Sequence, residues 1–178
     1  MLRNGVIKIL NVNDHSPTRY VWNLTLTNAG YQVRDAESGR AALQCIEEYG
    51  PHLVLLDVRL PDLDGFTLCQ RIKSLYSLLP VLMVSAWFTN SKDYVTGLNA
   101  GADGYLDDPS DTGKLLAMIQ TLLHIYAQWQ EAMISRIALQ QQNEELLGRL
   151  GHAESVNVEL QKEIECLQCA LQRLKGQP

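Results

Sequence analysis

Aspartates near the ends of strand-like segments are the residues best suited to chemistry in this sequence. Asp14, Asp57 and Asp108 each follow a short apolar run, and Ser85 follows another. If these side chains converge on one pocket, their carboxylates repel one another, and such a cluster normally implies a hard divalent cation such as Mg²⁺. The spacing leaves a second interpretation open, in which the strand-end aspartates only cap the helices that follow.

The elements that must position these residues are short β-rich runs alternating with segments of helical periodicity. The runs lie at residues 6–10, 31–33, 53–56, 81–84 and 104–106. This alternation is typical of a parallel sheet covered by helices, and the third and fourth runs, apolar on both faces, are predicted to be central strands. In such a sheet, ligands bind at the carboxyl ends of the strands, where the candidate residues fall.

The predicted helices between the runs have recognisable start and stop signals. Ser16 and Pro17 precede the first helix and Gly30 follows it. Ser38 precedes the second helix, and Gly50 followed by proline ends it. These residue types favour helix N-termini and C-termini respectively, so we expect the helices to begin and end there.

Five segments together carry a family resemblance. They read ILNVND at 9–14, GYQV at 30–33, PHLVLLDVRLPDLDGF at 51–66, PVLMVSA at 80–86 and GLNAGADGYL at 97–106. In this order they closely resemble the receiver domain of bacterial two-component response regulators, over roughly residues 5 to 126. The resemblance implies an α/β, flavodoxin-like doubly wound fold with a five-stranded parallel sheet in the order 2-1-3-4-5.

The resemblance also implies a role for each matching residue. It implies that Asp57 accepts a phosphoryl group from a histidine kinase or phosphotransfer protein. It implies that Mg²⁺ binds Asp14, Asp57 and the backbone carbonyl of Arg59, with Asn13 reaching the metal through water. These roles are physically sensible, because aspartate is a weak nucleophile and a metal neutralises the charge of the arriving group.

Four positions match residues that respond to the phosphoryl group or shield it. The resemblance implies that Ser85 hydrogen-bonds a phosphoryl oxygen while Tyr105 turns inward. Trp87 and Arg59 occupy positions whose side chains screen the acyl phosphate from water in the family. Apart from self-catalysed phosphoryl transfer and dephosphorylation, the resemblance predicts a signalling protein rather than an enzyme.

Two positions depart from the family pattern. Asn13 replaces an acid, a mild change because asparagine can also reach a metal through water. Asp108 replaces a lysine that is nearly obligatory before the proline, and this change is serious. A carboxylate about 4 Å from another anion costs on the order of 4 kcal/mol at an effective dielectric constant near 20. Either Asp108 turns outward, or metal binding is stronger, or the domain works without phosphorylation.

Composition narrows the class of protein. The 178 residues are 46% hydrophobic and 20% charged, with a formal net charge of -5, so we expect a folded domain with no broad basic surface and no nucleic-acid partner. No apolar run is long enough to cross a bilayer, and the N-terminus lacks a signal-peptide layout, so we expect a cytoplasmic protein. The four cysteines are too few and scattered for a disulfide scaffold, and Cys166 and Cys169 lack a second pair of zinc ligands.

A heptad pattern follows the receiver-like segment. Its a and d positions are Leu139, Asn143, Leu146, Leu150, Ala153, Asn157, Leu160, Ile164, Leu167, Leu171 and Leu174. Asn143 and Asn157 both fall at a, where asparagine favours a parallel, in-register pair of helices. We therefore predict a receiver domain at residues 1–126 and a helical extension forming a homodimeric coiled coil at 127–178. One amphipathic helix folded back on the domain is the alternative.

Two functions fit these observations. In the first, Asp57 phosphorylation alters the end of the domain and hence the coil, which signals to a downstream protein partner. In the second, the chain is a phosphorylation-independent pseudo-receiver that acts as a dimeric scaffold or docking protein. Asp14, Asp57, Ser85 and Tyr105 favour the first function, whereas Asp108 favours the second.

Overall fold

A computed structural model describes residues 5–85, 91–108 and 110–175. Five parallel strands form one sheet in the order β2-β1-β3-β4-β5, which confirms the predicted fold class and topology. The strands are β1 (Lys8–Val12), β2 (Gln32–Ala36), β3 (Leu53–Asp57), β4 (Val81–Val84) and β5 (Gly104–Leu106). The helices are α1 (Ser16–Asn28), α2 (Gly39–Tyr49), α3 (Gly65–Leu75), α4 (Ser91–Asn99) and α5 (Thr112–Lys175).

Two predicted strands are displaced along the chain. The first strand extends to Val12 rather than ending at residue 10, because the polar Asn11 is accommodated in the sheet by hydrogen bonds to Arg19 and Asp35. The second strand extends to Ala36, since β2 is an edge strand on which Arg34 and Asp35 remain exposed. Hydrophobic periodicity alone does not identify strands that carry such polar residues.

The predicted boundaries hold for α2 and for the end of α1, whereas α1 begins at Ser16, so that Ser16 and Pro17 lie inside the helix rather than before it. Pro17 lies in the first turn of α1, and Gly30, just beyond its end, has a φ of 90°. The Ser38 side chain accepts a hydrogen bond from the Ala41 amide (3.2 Å), which caps α2. Gly50 ends α2 in the left-handed conformation, with a φ of 60°, which glycine adopts at little cost.

The sheet is buried on both faces by alternating side chains. Leu10 and Leu56 point to the side covered by α2 and α3, whereas Ile9 and Leu55 point to the side covered by α1 and α5. This two-sided burial is what a doubly wound parallel sheet requires. It leaves the carboxyl ends of the strands, where the candidate residues lie, as the edge that can carry a site.

The chain divides into two compact units, Met1–Trp129 and Gln130–Pro178. The second unit consists of the later part of α5, which remains helical through Gly148 and Gly151. Its a and d side chains as far as Leu171 are exposed on the single chain, with Leu139, Leu150 and Leu167 at 58%, 59% and 62%. Among the residues described, no helix is long and apolar enough to span a membrane.

Candidate functional site

The sheet brings the strand-end residues to neighbouring positions. Asp57 is the last residue of β3 and lies opposite Val84 of β4. Val12 lies opposite Leu56 on the other side, so Asn13 follows β1 where Asp57 ends β3. Ser85 directly follows β4, and its amide donates to the Leu106 carbonyl (3.0 Å). The parallel register therefore aligns the ends of β1, β3 and β4.

The Asp57 carboxylate occupies a half-buried position that disfavours its negative charge. Burial, the main cause, and the charge of Asp14 together raise its pKa from 3.8 to about 6. Hydrogen bonds from the amides of Arg59 and Val58, and the charge of Arg59, act in the opposite direction. The Arg59 amide lies 3.4 Å from Oδ1. Asp57 is thus mostly ionised at neutral pH, and a cation bound nearby would stabilise its negative charge.

Gly65 allows α3 to approach the backbone beside Asp57. A Cβ atom at Gly65 would lie 2.5 Å from the Asp57 carbonyl oxygen and 2.7 Å from Cα of Val58. The Gly65 amide donates to the Val58 carbonyl (2.9 Å), and Asp64 caps α3 by accepting from the Thr67 amide (3.0 Å). This approach explains why the pair Asp64 and Gly65 follows Asp57 at this spacing.

Asp62 connects the loop after β3 to α2. Its carboxylate accepts hydrogen bonds from the amides of Gly39 (2.8 Å) and Arg40 (3.0 Å) at the start of α2. These two amides are the main cause that lowers the pKa of Asp62 below its ordinary value. Sequence analysis did not identify this contact, although the acidic type of Asp62 in a loop was the available signal. The contact holds the segment that carries the Arg59 carbonyl.

Asn13 is buried at the start of the loop that carries Asp14. Its amide donates to the Ala36 carbonyl (3.0 Å), and its side-chain Oδ1 accepts from the His15 amide (2.8 Å). An amide oxygen has two lone pairs, so this bond leaves Oδ1 able to accept from a water molecule as well. Asn13 is therefore compatible with the predicted contact to a metal through water.

Ser85 and Tyr105 are both buried, with 3% and 6% of their surfaces exposed. The Tyr105 ring lies against α4 at Gly97, where a Cβ atom would come within 2.9 Å of its Cδ2 atom. Tyr105 also belongs to the core cluster on the α2 and α3 side of the sheet. Tyr105 is thus packed inside the domain, with Gly97 providing space for its ring, and its response to a phosphoryl group stays a prediction. Trp87 lies outside the described residues.

Asp108 is held by local hydrogen bonds rather than by contacts with the other strand-end carboxylates. Its exposed carboxylate accepts hydrogen bonds from the amide (2.9 Å) and hydroxyl (2.6 Å) of Ser110, which lower its pKa. Within residues 5–85, 91–108 and 110–175, no three His, Cys, Asp or Glu side chains are grouped so that they could hold a metal. Asp14, Asp57 and Asp108 therefore do not form one carboxylate cluster. Local hydrogen bonding to Ser110 is the physical reason.

The remaining oxygen donors fit a magnesium ion. Asp14 is near enough for its charge to act on Asp57, and the Arg59 segment lies directly after β3. Two carboxylates, a backbone carbonyl and an amide reached through water are hard oxygen ligands, and Mg²⁺ commonly binds through one or two carboxylates plus waters. A Mg²⁺ site built from these ligands therefore does not need a third carboxylate.

The sequence matches a known protein family over more than half of its length. The response regulator receiver domain model matches residues 9–120. The chain belongs to this family. Receiver domains typically bind Mg²⁺ at the phosphorylation site, and the family is a signalling family rather than an enzyme family.

Two curated relatives illustrate the similarity. The transcriptional regulatory protein GltR of Pseudomonas aeruginosa is 41% identical over 117 residues, covering 65% of this chain and 48% of GltR. The response regulator MprA of Mycolicibacterium vanbaalenii is 39% identical over 117 residues, covering 66% of this chain and 50% of MprA. The chain thus matches about half the length of these relatives. Because GltR is named as a transcriptional regulator, the absence of a nucleic-acid partner stays a prediction.

Solved receiver structures share the fold. The CheY-like receiver domain protein of Methanospirillum hungatei is 29% identical, with a TM-score of 0.66 over 70% of this chain and 98% of that chain. A response regulator of Chloroflexus aurantiacus is 35% identical, with a TM-score of 0.64 over 67% of this chain and 99% of that chain. Both matches cover nearly the whole of the solved chain, which agrees with a complete receiver fold.

One polar cluster away from the strand ends was not predicted. Lys73 of α3 donates to the Asp103 carboxylate (3.0 Å) and to the Tyr126 hydroxyl (3.0 Å). Asp103, just before β5, also accepts from the Val81 amide (2.8 Å) and from Tyr126 of α5. The three residues are far apart in sequence, so no local pattern identifies the contact. The cluster attaches α5 to the sheet shortly before the heptad segment begins.

Proposed function

We propose that this protein is a two-component response regulator in which Asp57 accepts a phosphoryl group from a histidine kinase or a phosphotransfer protein. The observation that carries the proposal is the half-buried Asp57 carboxylate at the end of β3, with Asp14 close enough to raise its pKa. This position combines a nucleophilic oxygen with a second carboxylate suited to a metal ion.

The transfer step follows from these groups. An ionised Asp57 oxygen attacks phosphorus, an O–P bond forms, and the P–N bond of the donor phosphohistidine breaks. The electron pair of that bond passes to the imidazole nitrogen. When bound by Asp14, Asp57 and the Arg59 carbonyl, with Asn13 reaching it through water, Mg²⁺ would neutralise charge on the transferring group. Ser85 would donate to a phosphoryl oxygen, and the inward position of Tyr105 would be maintained against Gly97.

The pKa of Asp57 predicts how phosphorylation depends on pH. Only the ionised carboxylate attacks, and burial together with Asp14 raises its pKa to about 6. The rate with a small phosphodonor should therefore rise as pH increases through about 6 when Mg²⁺ is low. Mg²⁺ favours the ionised carboxylate, so saturating Mg²⁺ should move this rise to lower pH. A pH profile that does not respond to Mg²⁺ would contradict the shared site.

Intact-mass analysis tests the central proposal. The full chain is incubated with acetyl phosphate and millimolar Mg²⁺, alongside Asp57→Asn and the matched control Asp107→Asn. Asp107 is an exposed strand-end carboxylate paired with Lys114 (2.6 Å). We expect one phosphoryl adduct on the wild type and on Asp107→Asn, and none on Asp57→Asn. No adduct on the wild type, or an adduct that survives Asp57→Asn, would reject phosphorylation and favour the pseudo-receiver scaffold.

We also propose that the heptad segment of α5 forms a parallel homodimeric coiled coil through which the protein contacts downstream partners. Support comes from the exposed a and d leucines on the second unit, which a second copy would cover. Asn143 and Asn157 would pair with their symmetry mates and so fix the register. Arg149 at g would face Glu154 at e of the partner helix, which adds about 0.5 kcal/mol at an exposed pair.

Sedimentation equilibrium tests the coil. Replacing both Asn143 and Asn157 by leucine should raise thermal stability while relaxing the dimer toward trimers or mixed species, because a polar a position exchanges stability for specificity. Gln141→Ala with Ser155→Ala is the control, since both residues lie at outer f positions. A monomeric wild type at tens of micromolar, or a leucine variant that remains a strict but less stable dimer, would overturn the proposal.

A further inference from the structure

Arg19 joins α1 to the loop that carries Asp14. Its side chain is largely buried, with 17% exposed. Nη1 donates to the carbonyl oxygen of Asn13 (2.6 Å) and lies 3.3 Å from the carbonyl oxygen of Asp14. One guanidinium thus contacts two successive carbonyls of the loop. Hydrogen bonds from a charged donor are stronger than those between neutral groups.

The backbone of Arg19 is itself attached to the sheet. Its carbonyl oxygen accepts from Nδ2 of Asn11 (3.0 Å), a β1 side chain with no exposed surface. The same Asn11 nitrogen donates to Oδ1 of Asp35 on β2 (2.8 Å). The arginine is therefore fixed at its main chain by β1, while its side chain reaches back to the residues that follow β1.

The ion pair of Arg19 does not account for this arrangement. Nη2 lies 3.9 Å from the Glu37 carboxylate, whose side chain is 77% exposed. Exposed ion pairs contribute little to stability, and this one is long. The shorter contacts to the Asn13 and Asp14 carbonyls are the ones that determine where the guanidinium lies.

We propose that Arg19 is a positioning residue for the phosphoacceptor site, acting through the backbone of Asn13 and Asp14 to hold Asp14 where it shares a Mg²⁺ ion with Asp57. This inference rests on the proposed function, because it assigns Arg19 a role in the same site. Arg19 does not contact the phosphoryl group in this scheme. Its effect is on the affinity for Mg²⁺ and on the order of the loop, and phosphorylation changes only as a consequence.

The test uses the full chain as wild type, Arg19→Gln, Arg19→Lys and the control Arg34→Gln. Arg34 is an exposed arginine whose partner is Glu48 (3.5 Å). Amide hydrogen exchange at Asn13 and His15 is measured by NMR without metal, and Mg²⁺ affinity is measured by calorimetry. The exchange rates of these amides measure how well the loop is ordered, and they do not depend on Mg²⁺ binding or on phosphorylation.

We expect Arg19→Gln to exchange these amides about tenfold faster and to bind Mg²⁺ about tenfold more weakly, as the loss of a charge-assisted hydrogen bond predicts. Arg19→Lys should recover most of both properties, because an ammonium group can donate to both carbonyls. Arg34→Gln should match the wild type in both measurements.

Three outcomes would overturn the inference. Unchanged amide exchange in Arg19→Gln would show that the arginine does not order the loop. Faster exchange with unchanged Mg²⁺ affinity would show that the ordered loop is irrelevant to the site, and would leave the proposed function intact. A wild type that binds no Mg²⁺ would refute the proposed metal site and this inference together, which distinguishes that failure from the first two.

Discussion

Replacing Asp57 by asparagine should stabilise the metal-free protein above pH 6. Burial and the nearby Asp14 raise the pKa of Asp57 from 3.8 to about 6, so the folded state binds this proton more tightly than the unfolded chain does. At about 1.36 kcal/mol for each pKa unit, the ionised carboxylate would cost about 3 kcal/mol. Because Asp57 is only half-buried, solvent screening reduces the expected cost to about 1.5 kcal/mol.

The direction of the pH dependence follows from proton linkage. For an acid whose pKa is raised on folding, the stabilising contribution of the proton is complete below pH 3.8 and is lost as pH rises through about 6. Wild type and Asp57→Asn should therefore be almost equally stable below pH 3.8 and differ fully above pH 6. Asparagine keeps an acceptor for the Arg59 amide and removes the charge.

Urea denaturation in EDTA, followed by tryptophan fluorescence, measures the difference. Trp22 of α1 is 2% exposed in the core, so its emission should report unfolding of the first unit. Asp107→Asn is the control with the opposite expectation, since the hydrogen bond from Lys114 lowers the pKa of Asp107 and its replacement should give no gain. If Asp57→Asn is no more stable than wild type above pH 6, the reasoning about this site is wrong.

Three other substitutions examine the surroundings of the site. Gly65→Ala should destabilise the protein by about 1 to 3 kcal/mol in urea and slow phosphorylation, because its Cβ would lie 2.5 Å from the Asp57 carbonyl oxygen. Asp108→Asn should change Mg²⁺ affinity by less than about twofold in calorimetry, because the exposed carboxylate is bound by Ser110 and a remote charge is screened; a larger loss would place Asp108 in the metal site. Tyr126→Phe should lower the free energy of unfolding by about 1 kcal/mol, because the hydroxyl joins Lys73 and Asp103; an unchanged value would show that this cluster does not stabilise α5.

The shared edge of the strand ends could be predicted because it depends on repeated, local features, although the exact ends of β1 and β2 could not. Alternating β-rich and helical segments predict parallel strands, and parallel strands place their carboxyl ends together. The family resemblance added the strand order, which periodicity does not contain. Asp57 and Ser85 therefore lie at the expected edge of the sheet.

The residues that hold the site in place could not be predicted in the same way. Arg19 and Asp62 bind backbone carbonyls and amides, and such partners carry no residue type that a sequence pattern could match. The sequence left the orientation of Asp108 open for a different reason. Its placement after a strand suggested convergence, but Ser110, two residues later, satisfies its carboxylate locally.

The charges around Asp57 distinguish this receiver from receivers that keep the family lysine. Asp108 replaces the family lysine, so the positive charge of the lysine is absent. The Asp108 carboxylate accepts hydrogen bonds from Ser110 instead. Arg59 is a cation whose charge lowers the pKa of Asp57, yet burial and Asp14 outweigh it. A phosphoryl dianion arriving at this carboxylate adds further negative charge, and Mg²⁺ is the remaining group able to neutralise it strongly. Phosphorylation should therefore depend more steeply on Mg²⁺ than in a receiver that keeps the lysine, and Asp108→Lys should reduce that dependence.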